Sequence, residues 1–148
     1  MQHPSRKIMQ SAIKLAKAHY NEGGHAVAAI IVKGNKIIAS GFTTLNRDNI
    51  ATRHGEINAI EAANKKLGTR NLSGCWLYST YEPCPMCTSA SVWARMDGIV
   101  YGASMADRNE KYTQRILIPC KEVLKHGTPK LKLHEKFMRK ECKELLLL

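Results

Sequence analysis

Cys84 and Cys87 stand three positions apart in the stretch Tyr81-Glu82-Pro83-Cys84-Pro85-Met86-Cys87. Two thiols at that spacing support three chemistries: dithiol redox exchange, half of a structural zinc ribbon, or part of a catalytic metal site. The companions elsewhere in the chain discriminate among them. A redox pair needs none. A zinc ribbon needs a second Cys-x-x-Cys, and Cys75, Cys120 and Cys142 each stand alone. A catalytic zinc site needs three protein donors and one open position, and its third donor is usually histidine. His54, in Arg53-His54-Gly55-Glu56, is the candidate.

Glu56 follows His54 by two positions, a spacing that turns the two side chains to different faces of a helix. That suits a division of labour in which His54 binds metal and Glu56 reaches the water beside it. Zinc lowers the pKa of water to about 7 in catalytic sites, and a desolvated carboxylate can carry the released proton. His-x-Glu alone recurs by chance, and Cys-x-x-Cys alone is ambiguous. The order matters: each motif opens a helix, and a strand lies between them. The remaining histidines read more plainly. His19, His126 and His134 are expected at the surface or in packing, and His3 in a disordered chain end.

Hydrophobic periodicity places these motifs on elements. Residues 5–20 read as an amphipathic helix carrying Ile8, Ala12, Leu15 and Ala16, with Ser5 as its cap. Ala28 to Val32 and Ile37 to Ala39 flank Lys33-Gly34-Asn35 as a hairpin. The segment Thr43 to Arg53 is polar and aperiodic, so a loop is expected. A helix follows, with Ile57, Ile60 and Ala63 on one face and Gly68 as its stop. Cys75 to Thr80 reads as a buried strand, Cys84 or Pro85 to Met96 as a helix, and Gly98 to Ala103 as the next strand. Ser104 to Arg115 is a polar connection. A short helix closing at Gly127, an edge strand around Leu131 and Leu133, and an amphipathic tail complete the chain. Phe137, Met138, Cys142, Leu145 and Leu146 are the tail's apolar members. Alternating helices and strands after a hairpin predict an α/β fold, a mixed sheet between helices in a three-layer α/β/α sandwich.

The bulk numbers fit one globular domain over residues 1–148: 44% hydrophobic, 24% charged, no apolar run long enough to span a membrane. Five unevenly spaced cysteines are not a secreted disulfide framework, and no signal peptide is evident, so the expected location is cytoplasmic. A net charge of +11 favours anionic partners such as nucleic acid or phosphorylated metabolites, or else keeps a lysine-rich surface soluble.

The segments His54-Gly55-Glu56-Ile57-Asn58-Ala59-Ile60, Tyr81-Glu82-Pro83-Cys84-Pro85-Met86-Cys87 and Trp93-Ala94-Arg95-Met96-Asp97-Gly98-Ile99-Val100-Tyr101-Gly102-Ala103 resemble the cytidine and deoxycytidylate deaminase superfamily. The similarity lies on the branch with guanine, cytosine and tRNA adenosine deaminases and covers roughly residues 5–108. The resemblance implies a five-stranded sheet, hydrolytic deamination and a Zn2+ cofactor. It also implies His54, Cys84 and Cys87 as metal ligands, Glu56 as proton shuttle, the Glu56 and Cys84 amides at the attacked centre, and a homodimer. Asp107 stands where guanine deaminases carry an aspartate that reads the base.

The chain departs from that pattern at the base pocket. The glycine-rich first-strand segment reads His25-Ala26-Val27-Ala28-Ala29, with Ala26 for proline and Ala28 for glycine. Thr43 replaces a base-reading asparagine, offering one hydroxyl for an amide. Ile50-Ala51-Thr52 replaces Asp-Pro-Thr. His25, Ala26, Thr43 and Asp107 are therefore the candidate substrate-binding residues. The expected function is hydrolytic deamination of a nucleobase or nucleoside, guanine deaminase-like. The alternatives are tRNA adenosine deamination, favoured by the charge and by Lys136, Arg139, Lys140 and Lys143, and a non-catalytic zinc- or nucleotide-binding module.

Overall fold

A computed structural model describes residues 2–107 and 114–148. Helix α1, Arg6–Asn21, starts where the Ser5 hydroxyl accepts the Ile8 amide, and buries Ile8, Met9, Ala12, Ile13 and Ala16. Strands β1 (Ala29–Lys33) and β2 (Lys36–Gly41) pair antiparallel across Gly34-Asn35, with Gly34 at φ 62°. That left-handed backbone is what a two-residue hairpin turn requires. After α2 (Leu45–Asp48) comes α3 (Gly55–Leu67), ended by Gly68 in the left-handed region. Strand β3 (Cys75–Tyr81) leads through Glu82–Cys84 into α4 (Pro85–Trp93), and β4 spans Gly98–Ala103. A 3-10 turn at Met105–Asp107, α5 (Cys120–Lys125), β5 (Lys132–His134) and α6 (Arg139–Leu145) follow.

The five strands form one sheet in the order β2-β1-β3-β4-β5. β1 is antiparallel to β2 and β3, while β3, β4 and β5 run parallel. Successive strand side chains alternate between faces. Ile30, Val32, Trp76, Tyr78 and Val100 meet α1 and α6 on one face. Ala29, Ile31, Leu77, Ile99 and Tyr101 meet α3, α4 and α5 on the other. β4 is buried throughout and β3 in all but its last residue, as expected of central strands covered on both sides. This is the expected three-layer sandwich. Among the described residues, no helix is long and apolar enough to cross a membrane.

Four local expectations need correction. The segment after β2 contains helix α2, held by Thr44 Oγ1 donating to Asp48 Oδ2 at 2.8 Å and ended by Asn49 at φ 54°. Four residues stabilised by a polar side chain carry no apolar period to detect. Helix α4 stops at Trp93, because Arg95 at φ 58° breaks the spiral and turns Met96 into the core. The helical part of the tail is only Arg139–Leu145, preceded by Met138 at φ 55°. His3 is packed rather than disordered: its ring stacks on Trp76 at 4.6 Å, and its Nδ1 is 2.7 Å from the Tyr78 hydroxyl. The polar connection expected over Ser104 to Arg115 begins with the 3-10 turn, and its residues 108–113 lie outside the described residues.

Candidate metal and catalytic site

His54 is the N-cap of α3 and Cys84 the N-cap of α4, so the site forms where two helices begin on one face of the sheet. Neither side chain is spent on capping its own helix, which leaves ring and thiol to face each other. Cys87 lies one turn into α4, where helical geometry brings its sulfur back beside Cys84. Pro85 occupies the first turn of α4, where no amide hydrogen is needed. Pro83 is buried beneath that entry.

The three donor atoms form a near-equilateral triangle. Cys84 Sγ and Cys87 Sγ are each 3.6 Å from His54 Nδ1 and 3.6 Å from one another. A tetrahedral zinc with bonds of 2.0–2.3 Å requires ligand separations of about 3.5–3.8 Å. The triangle fits that ion without rearrangement, and its donor set of two sulfurs and one nitrogen suits zinc. Three protein donors, rather than four, are the catalytic pattern. Cys87 is fully buried while His54 and Cys84 are half-buried, so access is from the His54–Cys84 side.

Charge is organised around this triangle. The Cys87 thiol, hydrogen-bonded to Cys84, holds the Cys84 thiol well below the ordinary range; burial opposes this, and His54 adds to it. Cys84, and then burial, push Cys87 up in turn. A divalent cation removes that opposition, because it accepts both sulfurs as thiolates. Glu56, in the first turn of α3, is 7% exposed, and burial followed by the Cys84 charge raises its pKa. A carboxyl whose charged form is disfavoured by burial holds a proton more readily, which suits a group that must both take and return one.

A close approach fixes α3 against the sheet. A Cβ on Gly41 would overlap the Gly55 carbonyl oxygen and crowd the Ala59 amide, so β2 lies flush against the start of α3. Asn58, one turn beyond His54, donates to the Phe42 carbonyl at 2.7 Å and to Thr44 Oγ1 at 2.8 Å. Arg53 pairs with Glu61 and ties the chain before His54 to the same helix.

The other sequence candidates are more scattered. Thr43 is half-buried between Phe42 and Thr44, at the segment Asn58 holds. Ala26 is buried in the cluster with α1, and His25 is exposed. Asp107 is committed to internal partners. Its carboxylate accepts the Ser104 amide at 3.0 Å, the Ser104 hydroxyl at 3.3 Å, Arg139 Nε at 2.8 Å and Arg139 Nη2 at 2.6 Å. Arg139, opposed by burial and aided by Ser104, holds it well below the usual carboxylate range. Asn58 and Glu82 were missed in the sequence. The signal for Glu82 was an acidic residue closing an apolar strand; Asn58 had none beyond its helical spacing from His54. Two surface cavities of about 410 Å3 lie at the opposite end of α4, one against Trp93 and His126 and the other against Trp76 and Lys132. Neither is lined by the triangle's residues.

Comparison with known proteins agrees with this geometry. Residues 2–103 match the model of the cytidine and deoxycytidylate deaminase zinc-binding region. Guanine deaminase of Bacillus subtilis is 41% identical over 104 residues, 70% of this chain and 67% of that protein. Its solved structure superposes with a TM-score of 0.67 at 40% identity, covering 72% of this chain and 68% of that one. A tRNA-specific adenosine deaminase of Buchnera aphidicola is 32% identical over 139 residues, 93% of this chain and 88% of that protein. A tRNA(Ile)-lysidine synthase of Deinococcus deserti is 49% identical over 77 residues, but those are 52% of this chain and only 14% of that longer protein. With a matching family model over most of its length, and relatives that are nucleobase or tRNA deaminases, the chain belongs to the cytidine and deoxycytidylate deaminase family.

Proposed function

We propose that residues 1–148 form one deaminase domain that hydrolyses an amino-substituted nucleobase or nucleoside and releases ammonia. The observation that carries this reading is the 3.6 Å triangle of His54, Cys84 and Cys87 beside a buried Glu56 whose pKa is raised. In this reading the three triangle residues hold zinc, which supplies Lewis acidity to activate water. Glu56 takes a proton from water and delivers it to the ring nitrogen next to the attacked carbon. It then takes the proton of the hydroxyl now on that carbon and passes it to the departing amine, so ring–NH2 and water become ring carbonyl and ammonia. The amides of Glu56, in the first turn of α3, and of Cys84, the N-cap of α4, favour the negative charge that builds on the atoms bonded to the attacked carbon.

Guanine deaminase is the template for the substrate, with Thr43, Ala26, His25 and Asp107 as candidate contacts. Deamination of tRNA adenosine is the second reading, supported by the +11 charge and by the match to the Buchnera enzyme over 93% of this chain. Two further features belong to the proposal. The five free cysteines suit a reducing compartment, the cytoplasm. Trp93 on α4, 84% exposed, suits a homodimer contact.

The test is ammonia release from guanine, cytosine, adenine and their nucleosides, run beside inosine formation in an anticodon stem-loop RNA. Turnover of a free base or nucleoside supports the first reading. Inosine in the RNA alone supports the second. Bound zinc with no turnover on either arm overturns both and leaves a binding module.

A further inference from the structure

Two buried glutamates flank the candidate metal site and are used differently. Glu56 faces the triangle. Glu82, 5% exposed and two residues before Cys84, is bonded instead to backbone amides of other segments. Glu82 Oε1 accepts the Met105 amide at 2.9 Å, and Oε2 accepts the Cys120 amide at 2.8 Å. Met105 opens the 3-10 turn that ends at Asp107, and Cys120 opens α5. The Glu82 amide itself donates to the Ala103 carbonyl at 2.8 Å, at the end of β4. One residue thus ties the last residue of β4, the turn beyond it and the start of α5 to the loop that carries Cys84. Thr88 adds to the same joint, its Oγ1 lying 3.4 Å from Cys120 Sγ and 3.2 Å from the Pro83 carbonyl.

Each carboxylate oxygen here meets a different segment, which a carboxylate does well because both oxygens accept. Glutamine would turn a donor toward one of the two amides. Aspartate, one methylene shorter, would not span both. The far side of the same turn is fastened separately, through Asp107 to Arg139 of α6. The turn is therefore gripped from both flanks, and only the Glu82 grip leads directly to a triangle residue.

We propose that Glu82 is a positioning residue that keeps the Met105–Asp107 turn, which carries the candidate substrate contact Asp107, in register with the His54–Cys84–Cys87 cluster, so that turn and cluster move as one body. The inference rests on the deaminase reading for its consequence, but its geometry stands apart from it.

The experiment compares zinc-loaded wild-type protein with Glu82→Gln and Glu82→Asp, by residue-resolved amide exchange and by kinetics on the best substrate of the panel. Expected are exchange at Met105 and Cys120 raised about tenfold, unchanged exchange in α1 and α3, full zinc content, and a KM raised about tenfold with kcat nearly unchanged. Wild-type exchange rates at both amides overturn the proposal. So does exchange raised evenly through the fold with KM unmoved, or failure of both variants to fold, since Glu82 would then support the whole fold rather than the turn. If the wild-type protein turns over nothing in the panel, the deaminase reading fails, and the exchange data alone decide whether Glu82 couples turn and cluster.

Discussion

Asp107 accepts four hydrogen bonds from Ser104 and Arg139, and its side chain is 3% exposed. A base read by this carboxylate must displace Arg139, whereas Glu56 is shifted chiefly by burial. The two carboxylates should respond differently to substitution. Glu56→Gln keeps shape and should keep bound zinc, while lowering kcat about 10²- to 10⁴-fold, as loss of a general acid–base does. Cys87→Ala removes one of three donors and should lose both zinc and turnover. Zinc content by atomic absorption, read beside turnover, separates the two; full turnover in Glu56→Gln would falsify the proposed proton path. Asp107→Asn should cost about 1 kcal/mol or less, because Arg139 is 45% exposed and solvent screens the pair. A much larger drop in kcat/KM than in stability would mark Asp107 as a substrate contact after all.

At the scale of elements, the site depends on how closely two helices start beside the sheet. Gly41→Ala has no free space, since its Cβ would press on backbone atoms of Gly55 and Ala59. It should cost about 1–3 kcal/mol, or roughly 2–4 °C of Tm per kcal/mol in a chain of this size. Because α3 carries Glu56, with His54 as its cap, activity should fall further than stability. The N-terminal segment has its own pH dependence. Burial lowers the pKa of His3, stacked on Trp76, and of His19, stacked on Phe42 at 4.3 Å. The unfolded chain therefore binds more protons below its histidine pKa of about 6.5, and stability falls as pH drops through the lowered folded values. Thermal unfolding at pH 5 and pH 7 checks this, with a smaller difference expected in a His3→Gln, His19→Gln protein. The helices and central strands were legible in the sequence because apolar period and caps are local signals, and so was the triangle, whose members open two of those helices. What was not legible is decided by tertiary contacts. The commitment of Asp107 needs Arg139, 32 positions away, and the packing of His3 needs Tyr78, 75 positions away. Short α2 and the end of α4 at Arg95 turn on single polar or left-handed residues that leave no periodic trace.

For the molecule as a whole, the surface combines a net charge of +11 with several exposed apolar side chains. Trp93 is 84% exposed, and Ile116, Leu117 and Ile118 are 61%, 47% and 48% exposed. The second group lies just before α5, which packs on α4. Isolated exposed apolar residues are ordinary, but a tryptophan this bare on a helix of small residues costs solubility unless something covers it. The positive charge does not favour self-association, since like charges repel, so a dimer has to be held by apolar burial and should tighten with salt. RNA binding has the opposite salt dependence, weakening as salt displaces it from the phosphates. The two partners can therefore be told apart on one axis. Sedimentation of the wild-type protein at micromolar concentration should show a dimer that persists or tightens from low to high salt. Trp93→Glu should be monomeric, with a Tm no lower than that of wild-type protein diluted to monomer, because the residue makes little contact within its own chain. If the wild-type protein sediments as a monomer at both salt concentrations, the tryptophan belongs to another contact. A Trp93-dependent affinity for stem-loop RNA that falls with salt would then move the balance of the proposed function from free base to tRNA.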